Sequence, residues 1–86
     1  MQLPPEVTHQ NVAALYAATT KAGAALQQVN ASALQRFDSS VLALLLQAAR
    51  VAGPDAQPLR VVGAPVALRA LAHAYGIAAC WDWADA

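Results

Sequence analysis

The sequence predicts an α/β domain with a mixed sheet of about four strands and helices packed mainly on one face. Three observations lead there. Helical patterns alternate with short extended stretches, the order in which crossover helices join the strands of a parallel or mixed sheet. Each helical pattern runs into a glycine, Gly23, Gly53 or Gly76, which separates it from the next segment of chain. The chain has 86 residues, 58% of them apolar; at that length roughly 60% of the unfolded surface is buried on folding, enough for one core. Residues 1–86 are therefore read as one domain, with 78–86 as its tail.

Pro4 and Pro5 break any early helix, so "MQL" is at most a short extended piece at a sheet edge. Thr8 is a candidate N-cap. Val12, Leu15, Tyr16 and Thr19 then keep the three-and-four spacing of one helical face, which gives a first helix over 9–22. "ALQQVNASAL" alternates incompletely and is placed as a strand by its position between two helices. The second helix runs from Ser39 or Ser40 to Ala52 and stops at "GPD", where Pro54 cannot continue it. "PLRVVGA" is a short valine-rich strand, and Pro65 suits the first turn of the third helix. That helix carries Leu68, Leu71, Ala72 and Tyr75 on one face, turns Arg69 and His73 away from it, and closes at Gly76. "IAACWDWADA" shows no clear period.

Composition excludes several classes. Five basic and five acidic residues cancel, and Lys21, Arg36, Arg50, Arg60 and Arg69 are scattered, so no footprint for nucleic acid exists. Cys80 is the one cysteine, which leaves no internal disulfide and fits a reducing compartment. The apolar run "VLALLL" is far short of the roughly 18 residues of a membrane span. "MQLPPEVTHQ" lacks a basic region followed by an apolar stretch, so it is not read as a signal peptide. The expectation is a cytoplasmic protein without direct membrane insertion. A charged fraction of only 12% also suggests that some surface meets another subunit.

"RFDSS", residues 36–40, precedes the most apolar run in the chain. On a wheel of about 100° per residue, Val41, Leu45, Ala48 and Ala52 share the core face, flanked by Leu44 and Val51. Ser39, Leu42, Leu46 and Arg50 are placed on the other side, with Ala43 beside them. An apolar outer face holding one hydroxyl and edged by an arginine has the composition of a partner contact. Asp38, Ser39, Ser40, Leu42, Ala43, Leu46 and Arg50 are therefore the candidate partner-binding residues. Ser39 also stands where helix amides favour a phosphate, and is a candidate phosphorylation site. The plainer reading, that Asp38 or Ser39 simply caps the helix, stays open beside it.

Residues 30–77, "NASALQRFDSSVLALLLQAARVAGPDAQPLRVVGAPVALRALAHAYGI", resemble the STAS domain: a strand, an Asp-Ser-Ser turn, a leucine-rich helix, a strand and a last helix. "LPPEVTHQNVAALYAAT" extends the likeness over most of the chain. Within the family it is most similar to the MlaB-type subunits of bacterial phospholipid ABC transporters, which carry "RFDSS" or a near variant before "LALLL". The resemblance implies a small single STAS domain with no chemistry of its own. It implies an accessory subunit that binds and regulates the ATPase of an Mla-type transporter serving outer-membrane lipid asymmetry, peripheral to the inner membrane through that partner. Ser39 is the implied contact.

The anti-sigma-factor antagonists of the same family imply the alternative, regulation by phosphorylation of Ser39. Those usually continue Asp-Ser-Ser with Gly-Leu-Gly, where Val41 and Ala43 stand here; Asn30 stands where an acid is common; and only "MQLP" precedes Pro5 in place of a full first strand. An edge left by such an abbreviated sheet is a candidate for pairing with a second copy. No catalytic site, metal site or cofactor is expected, since His9, His73, Cys80 and the acids have no useful spacing; a hydrolase using Ser39 is kept only as a third reading. Trp81 and Trp83 are either partner anchors or one core residue and one in a fraying tail.

Overall fold

A computed structural model describes residues 1–52 and 58–84. They form an α/β domain of five strands and three helices: β1 (Glu6–Val7), α1 (Val12–Ala22), β2 (Gln28–Asn30), β3 (Arg36–Phe37), α2 (Ser40–Val51), β4 (Arg60–Val62), α3 (Val66–Ala74) and β5 (Asp82–Ala84). The strands lie in the orders β1-β3 and β2-β4-β5, and a bridge from Gln2 to Asn30 links the N-terminal segment to β2. The sequence left room for antiparallel pairs in a mixed sheet; every pairing recorded among the described residues is parallel.

Strand placement follows from where backbone donors are missing. The Asn30 N–H donates to the Met1 carbonyl (2.7 Å) and the Leu3 N–H to the Asn30 carbonyl (2.9 Å), so "MQL" is extended beside β2. Prolines 4 and 5 have no N–H to continue that ladder. The Pro5 carbonyl instead accepts from Gln35 and Arg36 (2.7 and 2.9 Å), which brings β1 alongside β3. Val29 and Val61, in register across β2 and β4, are buried in the same core as Leu3, Val7 and Leu59.

The helices begin and end where local chemistry dictates. α1 starts three residues later than expected because 8–11 form a turn. Asn11 Oδ1 accepts from the Thr8 N–H (2.8 Å) while Asn11 Nδ2 donates to the Glu6 carbonyl (2.7 Å). Thr19 is wholly buried on α1, its hydroxyl satisfied by the Tyr16 carbonyl (2.7 Å). Gly23 (φ 52°) ends the helix, as its sequence position required. α3 ends in a Schellman motif, with Gly76 N–H to His73 O and Ile77 N–H to Ala72 O, both 3.0 Å, and Gly76 at φ 73°. The expected "GPD" stop of α2 lies outside the described residues.

Three expectations need correcting. Leu42, expected on the outer face of α2, is only 3% exposed and belongs to the core. The buried positions run from Leu44 round through Val41 and Leu45 to Leu42, an arc of about 160°. α1 packs along the other flank of α2, where Gln47 Nε2 donates to Thr20 Oγ1 (3.3 Å), so the covered arc is wider than the single face the wheel assigned to the core. Tyr75, expected on the core face of α3, is 59% exposed; Leu68 and Ala72 carry that face. The segment read as a tail holds a 3-10 turn at Ala78–Cys80 and then β5, paired to β4. Trp81 is core, and Trp83 is half-buried in β5 with its Nε1 donating to the Ala78 carbonyl (3.0 Å) and Arg69 stacked 5.6 Å from its ring centre.

Candidate functional site

The turn between β3 and α2 divides the labour that the sequence left undecided between Asp38 and Ser39. Asp38 Oδ1 accepts from the Ser40 N–H (2.8 Å), and the Asp38 carbonyl accepts from the Val41 N–H (3.2 Å). Asp38 is thus the working cap. Ser39 already has helical angles (φ −63°, ψ −12°) and makes no side-chain capping bond. Its exposed hydroxyl is spare.

Asp38 is held from a second side. Its Oδ2 accepts from the His9 N–H (3.0 Å) and lies 3.0 Å from His9 Nδ1. Contacts from the His9 ring, the His9 N–H and then Ser40 hold the carboxyl well below the usual carboxylate range. The first helix expected over 9–22 would place His9 in its first turn. His9 stands instead in the preceding loop and ties that loop to the start of α2. The two residues are 29 apart in the chain, so no local spacing announces the pair.

This pair carries a pH expectation. The folded-state pKa is depressed, so the stabilisation is present above the unfolded carboxyl pKa, near 3.9, and is lost as pH falls from there through the folded value. Asp38→Ala should melt at a lower temperature than wild type at pH 7, and the gap should narrow progressively below about pH 4. Paired thermal melts over that range check it; an equal gap at pH 7 and at pH 2 would refute the capping role.

Beyond the turn, Ser39, Ala43 and Arg50 are exposed along one strip of α2, with half-buried Leu46 on its border and Ser40 half-buried at its start. Leu42 leaves the set proposed from the wheel. The strip opens on a groove of about 490 Å³ between α2 and Tyr16 of α1, with exposed Cys80 also on its wall. Gln47 and Ala49 complete it; the wheel had not singled out these residues, because the groove needs Tyr16 and Cys80 brought in from other elements. Among the described residues, no three His, Cys, Asp or Glu side chains are placed to hold a metal ion. No hydrogen bond joins either histidine to the Ser39 hydroxyl there; the His9 ring is turned to Asp38. Among the described residues, no helix is long and apolar enough to cross a membrane.

Residues 1–80 match the family model described as "Mlab, STAS domain". No curated protein and no solved structure matches the chain.

Proposed function

Because the chain belongs to the STAS domain family, in its MlaB-like type, we propose that it is the accessory subunit of an Mla-type phospholipid ABC transporter and binds and regulates the cytosolic ATPase. The family itself supports a regulatory or accessory role, generally without enzymatic activity. The ATPase, the lipid pathway and attachment to the inner membrane through that partner are the proposal. One observation carries it: Asp38 performs the capping, which leaves the Ser39 hydroxyl exposed at the head of a strip continued by Ala43, Leu46 and Arg50. Small and apolar groups with one hydroxyl and an edge arginine suit a protein contact that excludes water while fixing register.

Two substitutions at Ser39 test the reading. Ser39→Ala should change stability by no more than about 0.5 kcal/mol, since no capping bond is lost. A serine that caps through its side chain would instead cost about 0.5–2 kcal/mol. Ser39→Glu should fold but bind the purified ATPase at least about tenfold more weakly, because it places an uncompensated charge in the contact. Urea unfolding measures the first and calorimetric titration the second, and wild-type affinity for Ser39→Glu would remove the surface from consideration. The same exposed hydroxyl favours a second reading, an anti-sigma-factor antagonist switched by phosphorylation of Ser39. Binding of a kinase-like anti-sigma factor in place of the ATPase separates the two.

A further inference from the structure

The groove beside Leu46 differs from the Ser39 end of α2 in charge. α2 is 12 residues long, about 18 Å, and its acidic group, Asp38, sits at the start, engaged by His9 and Ser40. At the other end Thr20 meets Gln47, so the last turns of α1 and α2 lie together. Their basic residues are Lys21 and Arg50, both exposed. The ion pairs among the described residues are His9–Asp38 and Glu6–Arg36, and neither Lys21 nor Arg50 takes part in one. Among the described residues, no carboxylate lines the groove.

We propose that this groove takes an acidic, apolar peptide segment of the partner, with an apolar side chain seated against Ala43 and Leu46 and a carboxylate on the Arg50 guanidinium. This rests on the partner-binding reading above and adds what the partner must present. The volume, about 490 Å³, is within the range of roughly 300–1,000 Å³ that holds small ligands, so it accommodates a large side chain and its neighbours. Leu46 and Arg50 are one helical turn apart, which sets the spacing of the two recognised groups at about 6 Å. A fork of guanidinium N–H donors favours a carboxylate over any neutral acceptor. The Tyr16 hydroxyl and the Gln47 amide offer neutral partners to the segment's backbone.

The probe is a blocked, alanine-based helical peptide with leucine and glutamate four residues apart, compared with the same peptide carrying lysine for glutamate. In titrations followed by NMR, the glutamate peptide should shift resonances of Tyr16, Leu46 and Arg50 at about fivefold lower concentration than the lysine peptide. Arg50→Glu should reverse that order. The glutamate peptide should also slow alkylation of Cys80, the chain's one cysteine, by iodoacetamide. Equal shifts from both peptides, or none at the groove, overturn the proposal; if Ser39→Glu still weakens ATPase binding, the broader reading survives that failure. If the peptide preference holds and the ATPase does not bind, the groove's specificity stands and the transporter assignment falls.

Discussion

Leu42→Asp should unfold the domain, whereas Leu46→Asp should leave it folded and weaken partner binding. The two residues are four apart on one helix, yet Leu42 is 3% exposed and Leu46 is half-buried at the rim of the exposed strip. At position 42 the change forfeits about 1.5–3 kcal/mol of apolar burial. It also puts a carboxyl among Val41, Leu45 and their neighbours, where ionisation costs several kcal/mol more. Native domains are stable by only about 5–15 kcal/mol in all, small ones at the low end of that range. At position 46 the new carboxylate can turn to water, so the loss is a fraction of that. Circular dichroism and thermal melting of the two variants decide the matter. A Leu42→Asp protein with a near wild-type melting temperature would mean that α2 is rotated from the orientation described.

That contrast also shows what periodicity can and cannot convey. The helices were legible because their signals are local: three-and-four spacing, and glycines at 23 and 76 placed where a left-handed residue ends a helix. The deepest positions of α2, Val41, Leu45 and Ala48, were legible for the same reason. Leu42 was not, because a wheel gives the angle of each residue and says nothing of how wide an arc the neighbours cover. Strands β1 and β3 are two residues long, too short for a period of two to emerge, and β5, as long as β2 and β4, has neither the flanking helices that placed β2 nor the valines that marked β4. In β3 the apparent capping motif hid the pairing with β1. At the candidate site, the spare hydroxyl of Ser39 depends on Asp38 taking the capping role and on His9 arriving from a distant loop. Neither is encoded in the spacing of "RFDSS".

Trp81→Ala should cost about 3–5 kcal/mol and melt far below wild type, whereas Trp81→Phe should change stability by less than about 1.5 kcal/mol, because the area it loses is offset by the buried donor it removes. Trp81 is 3% exposed and meets Trp83 edge to face, with ring centres 5.5 Å apart at 73°. It closes the core just before β5, so truncation opens a cavity and loosens that strand. Its indole nitrogen is buried without a hydrogen-bond partner among the described residues, and an unsatisfied buried donor costs about 1–3 kcal/mol. Phenylalanine removes that donor while keeping an aromatic ring against Trp83, so the lost area and the relieved desolvation oppose each other. Urea unfolding of the two variants measures both effects. A Phe variant as unstable as the Ala variant would overturn the compensation between lost area and relieved desolvation.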